Sequence, residues 1–126
     1  MDWTVQVDEV RGIIMVTLRG QWDAKGILEA LQRLWAEQLR TGPLGALWDF
    51  REVRAGGVST GQLREVASRH MSDRPPLPES RAAVVVSGDL EFGMGRMTEA
   101  FIAEGQVDMQ IFRDMTEASD WLVSDV

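Results

Sequence analysis

Residues 82–86 read AAVVV, flanked by SDRPPLPE at 72–79 and SGDLEFGMGR at 87–96. Five consecutive apolar residues with three valines, bounded by turn-forming residues, have the length and β-branching of a strand buried on both faces, as parallel strands are. The upstream segment holds three of the chain's four prolines and is an extended linker. Downstream, Leu90, Met94, Met97, Phe101 and Ile102 recur at helical spacing, with Gly105 as the expected end. Strand and helix side by side imply a layered α/β arrangement.

The flanks repeat the pattern. Toward the N-terminus, Ser59 and Gln62 form a capping box ahead of Leu63, Val66, Ala67 and Met71, which predicts a second helix. Before it, Leu44–Phe50 (LGALWDF) is a short buried strand ending near Phe50, followed by the polar loop REVRAGGVS. Asp23 stands as an N-cap before Ile27, Leu28, Leu31, Leu34, Trp35 and Leu39, a first helix over 24–40 closed by Thr41, Gly42 and Pro43. At the start, Trp3–Val7 alternates with period two, and GIIMVTLRG over 12–20 returns as its antiparallel partner. Toward the C-terminus, Met109–Phe112 is a fifth strand, and Asp114 with Glu117 forms a capping box before Ala118, Trp121 and Leu122. The order β-β-α-β-α-β-α-β-α predicts one α/β domain over 1–126, with a mixed, mostly parallel five-stranded sheet and four helices.

Composition narrows the function. Apolar residues make up 44% and charged residues 26% of 126, as in ordinary folded domains. With no cysteine, there are no disulfides, thiolate metal sites or cysteine nucleophile. Thirteen basic residues, of which Lys25 is the only lysine, against twenty acidic ones give a net charge of −7, which disfavours nucleic-acid binding. The N-terminus does not read as a signal peptide and the apolar runs are strand-sized, so the default expectation is a cytoplasmic protein without a membrane span.

The termini of these elements resemble a known family. LRGQWD at 18–23, leading from the opening hairpin into a helix, resembles the SpoIIAA-like fold shared by STAS domains and anti-sigma-factor antagonists. GMGRM at 93–97, IFRD at 111–114, EA at 117–118 and WL at 121–122 are similar to the small bacterial STAS/SEC14-type proteins of that superfamily. The resemblance implies a non-enzymatic regulatory or interaction module that binds a protein partner or a second copy of itself. Its SEC14-type side implies, as an alternative, a carrier or sensor for a small apolar ligand such as a lipid. In the antagonists, a kinase modifies a serine lying in Asp-Ser-Ser-Gly at the start of the second helix. Ser59 falls at or near that serine, but Gly57, Val58, Ser59 and Thr60 lack the flanking Asp and the following Gly. Ser59 thus has two readings, phosphorylation site and helix cap, and its pairing with Gln62 favours the cap.

Few residues suit catalysis. His70, the only histidine, lies at the edge of the second helix's stripe. Asp49 lies near the C-terminal end of the third strand, where open α/β sheets place ligands, and its alternative reading is a carboxylate that accepts backbone bonds from the next loop. Glu52, three residues on along an extended strand, is expected on the opposite face from Asp49. Gly88 and Gly93 have P-loop spacing, but Met94 and Gly95 replace the lysine and the hydroxyl residue, which excludes Walker chemistry. No enzyme activity, cofactor or metal is expected. The apolar residues carry the other site expectation: helix two is poor in apolar bulk, so a groove between helices two and three, with Phe92, Met94, Met97, Phe101, Asp49 and His70 near it, is the candidate ligand or partner surface.

Overall fold

Asp8 sets the first turn. Its carbonyl accepts the Gly12 N–H at 2.9 Å and its carboxylate accepts the Arg11 N–H at 3.0 Å. Gly12 takes φ +70°, a conformation that costs a residue with a side chain far more than glycine. The computed structural model, which describes residues 1–102 and 107–124, accordingly pairs β1 (Asp2–Asp8) antiparallel with β2 (Ile13–Gln21).

From there, helix and strand alternate: α1 (Ala24–Thr41), β3 (Gly45–Arg54), α2 (Thr60–Asp73), β4 (Ser80–Val85), α3 (Asp89–Ile102), β5 (Val107–Phe112) and α4 (Met115–Leu122). The expected helix end at Gly105 lies outside the described residues. Strands β2 to β5 are mutually parallel, and the sheet order is β1-β2-β3-β4-β5. Each parallel strand is added on the same side of its predecessor, so right-handed crossovers put α1, α2 and α3 on one face. The cores agree: Val16, Trp48, Ala82 and Val84 pack with Ile27, Leu31, Val66 and Ile102, whereas Leu47, Ala83 and Val85 pack with Ala118 and Leu122 of α4.

Local capping starts the helices where the sequence predicts. The Asp23 carboxylate accepts the Gly26 N–H at 3.3 Å, and Asp114 accepts that of Glu117 at 2.9 Å. At Ser59 both halves of the box form, Gln62 N–H to Ser59 Oγ at 3.1 Å and Ser59 N–H to Gln62 Oε1 at 2.8 Å.

Two expectations need correction. In α1, Gln38 is buried and Leu39 is 63% exposed, because the Gln38 amide donates to the Leu44 carbonyl at 3.0 Å and anchors the turn into β3. Strand β3 runs past Phe50 to Arg54 through an irregularity: Thr17 pairs with Asp49, but Arg19 pairs with Glu52, two residues on β2 against three on β3. Such a bulge resets the alternation. Glu52 therefore shares a face with Asp49, and it binds Arg19 at 3.2 Å.

Candidate functional site

Alternation along the strands sends Trp48, Phe50 and Val53 of β3 and Ala82 and Val84 of β4 toward the three-helix face. The helices above do not fill the space opposite them. Of α2 only Leu63, Val66 and Ala67 are buried, and of α3 only Ile102. Gly95 brings α3 close to β5, since a Cβ there would sit 3.1 Å from Cδ1 and Cγ2 of Ile111. The result is a cavity of about 110 Å³ between the sheet and α1, α2 and α3. Its walls are almost wholly apolar, and its polar lining side chains include His70, Glu91 and Thr98. The Thr98 hydroxyl is already engaged, donating to the Met94 carbonyl at 3.1 Å.

Three lining residues, Trp22, Ala55 and Val86, lie just beyond the C-terminal ends of β2, β3 and β4. That end of a parallel sheet is where open α/β folds receive ligands. There Glu91 ties α3 to the sheet, its Oε2 accepting the Ala55 N–H at 3.2 Å. Deeper in, His70 sets its ring 6.0 Å from that of Trp35. Burial and, secondarily, the Arg74 charge push its pKa down to about 4, so the imidazole is uncharged at neutral pH.

The crystal structure of an uncharacterised protein of the DUF3478 family from Shewanella loihica PV-4, described as having a SpoIIAA-like fold, aligns with this chain at a TM-score of 0.59. The match covers 96% of this chain and 92% of that one, with 16% sequence identity. The fold is SpoIIAA-like. It is the fold that the LRGQWD and IFRD segments resemble, with the five-stranded mixed sheet and four helices in the expected order. No protein-family model and no curated protein matches the sequence.

Within this SpoIIAA-like fold, Met94 and His70 reach the cavity together. Phe92 and Phe101 do not line it; their rings lie under Arg113 at 4.4 Å and Arg64 at 5.0 Å from the ring centroids. Met97 is 37% exposed and Leu90 55%, so of the predicted stripe Leu90, Met94, Met97, Phe101 and Ile102 it is Met94 and Ile102 that line the cavity, joined by Glu91, Gly95 and Thr98. Asp49 is on the α4 face of the sheet, across β3 from His70, and the two do not meet. Burial alone would raise its pKa, but the Arg51 side chain, at 3.0 Å through both Nε and Nη2, and the Arg51 N–H at 3.1 Å hold it below the usual carboxylate range. Ser59 is exposed at the start of α2, its Oγ engaged as the cap.

Sequence reasoning missed Trp22, Trp48, Phe50 and Glu91 as site residues. Two aromatics two positions apart in LWDF, both pointing to one face of a strand, were the available signal. Among the described residues, no three histidine, aspartate or glutamate side chains gather as metal ligands, and no helix is long and apolar enough to cross a membrane.

Proposed function

We propose that this chain is a non-enzymatic binding module that takes up a small apolar molecule beneath α2 and α3. The observation carrying this reading is the cavity of about 110 Å³, walled by apolar side chains and reaching the C-terminal ends of the parallel strands. An engineered apolar cavity of about 150 Å³ stays dry and binds benzene or xenon, so the space suits a ligand of a few heavy atoms or the end of a longer one. The lining argues against catalysis: among the described residues it offers an uncharged imidazole and one carboxylate, while Asp49 is on the other side of the sheet. Xenon pressure applied during methyl-resolved NMR tests the reading. Saturable shifts at Leu63, Val66 and Val84, with Val85 across the sheet unmoved, are expected; uniform or absent shifts overturn it.

A second reading, binding to a protein partner or a second copy, rests on Leu90 and Met97, which α3 leaves exposed beside the cavity. For self-association, sedimentation should show a dimer that the double substitution Leu90→Ser with Met97→Ser returns to monomer. A concentration-independent monomer would remove that form of the reading.

A further inference from the structure

Among the described residues lining the cavity, Glu91 is the only carboxylate, and no lysine or arginine takes part. His70 is uncharged there at neutral pH, so among the described lining residues Glu91 is the one charged group. The fold holds this carboxylate in place: Oε2 accepts the Ala55 N–H at 3.2 Å, and a Cβ at Gly88 would collide with Oε1. A carboxylate offers about four acceptor positions, and one bond to Ala55 leaves capacity for another donor. Trp22, Trp48 and Phe50 line the same space, with the Trp48 and Phe50 rings stacked at 24° and centroids 6.1 Å apart. Aromatic faces attract cations, whereas an anion brought to a poorly hydrated site beside a carboxylate meets both desolvation and repulsion.

We infer that the cavity's ligand is a small organic cation, an ammonium carried on an apolar group, with the charge held by Glu91 at the mouth and the apolar group among the aromatic walls. Fatty acids and other carboxylates are rejected. The inference rests on the cavity-binding reading and adds to it the chemical class of the ligand.

Three near-isosteric probes test it: benzylammonium, benzyl alcohol and benzoate, titrated at pH 7 by calorimetry and tryptophan fluorescence. Benzylammonium is expected to bind about tenfold tighter than benzyl alcohol, as a charge-assisted bond and cation–π attraction together allow, and benzoate not to bind. Glu91→Gln should bring the amine to parity with the alcohol. Its amide oxygen can still accept the Ala55 N–H, and an unchanged thermal melt verifies the fold. Retention of the amine preference in Glu91→Gln, or benzoate binding as well as the amine, overturns the inference. Xenon uptake without any preference among the probes, or without binding of any of them, overturns it and leaves the cavity reading standing. Failure of xenon and all three probes overturns both.

Discussion

His70 couples the packing of one side chain to the response of the fold to acid. Its ring lies against Trp35 and beside Arg74, and burial first, then the Arg74 charge, lower its pKa from 6.5 to about 4. In the unfolded chain it titrates near its ordinary value. Between those two pH values the unfolded chain binds a proton that the folded chain does not, so stability rises with pH across the window. The stabilisation is complete above pH 6.5, is lost as pH falls toward about 4, and changes no further below that. Its size is about 3 kcal/mol. Urea unfolding at pH 7 and pH 4 should show wild type losing about that much more than His70→Phe. Asp49, whose pKa is held low, titrates alike in both proteins and cancels. Equal losses in the two would show that the imidazole is not desolvated. The sequence marks His70 as the sole histidine on a helix edge, but its charge state depends on Trp35 and Arg74 folding around it. Glu52 was misplaced for a related reason, since a bulge in β3 depends on the pairing with β2 and leaves no mark in the local pattern.

At the scale of elements, α3 departs most from its apolar periodicity. The repeat through Leu90, Met94, Met97, Phe101 and Ile102 predicts one buried stripe, yet the helix is rotated so that Glu91, Gly95 and Thr98 face inward with Met94 and Ile102 of that repeat. Two contacts set that rotation. Gly95 meets Ile111 where any side chain would crowd, and Glu91 bonds the Ala55 N–H at the end of β3. Both partners are distant in sequence, so periodicity could not reveal them. The caps at Asp23, Ser59 and Asp114 were legible because donor and acceptor lie three residues apart. A pair of substitutions tests the packing of α3. Around Gly93 a Cβ would meet nothing within 4 Å, so Gly93→Ala should raise stability by about 1 kcal/mol through helix propensity alone. Gly95→Ala carries the same propensity gain, but its Cβ would lie 3.1 Å from Ile111 and the net gain should be smaller. Equal gains by urea denaturation would mean that α3 does not rest on β5 at Gly95.

Across the whole molecule, the monotonic strand order sends three helices to one face and leaves α4 to cover the other. The order was legible because each buried strand is bracketed by capping and turn residues. Which face each helix covers follows from crossover handedness, but AAVVV is apolar on both faces and carries no preference of its own. The cavity was least legible, since a void is missing volume and no residue encodes it; the poverty of apolar bulk on α2 was the nearest sign. Val84 and Val85 separate these faces experimentally. They are neighbours on β4 with the same side chain, but Val84 lines the cavity and Val85, fully buried, packs against the α4 side. In Val84→Ile the added methylene enters empty space, with a gain of up to about 1 kcal/mol. In Val85→Ile it enters a filled core, and overpacking should cost about 1–3 kcal/mol. Urea denaturation of both variants gives the two signs, and xenon uptake should weaken in the first and persist in the second. A loss of stability in Val84→Ile as large as that in Val85→Ile would show the space beneath α2 and α3 to be closed in solution.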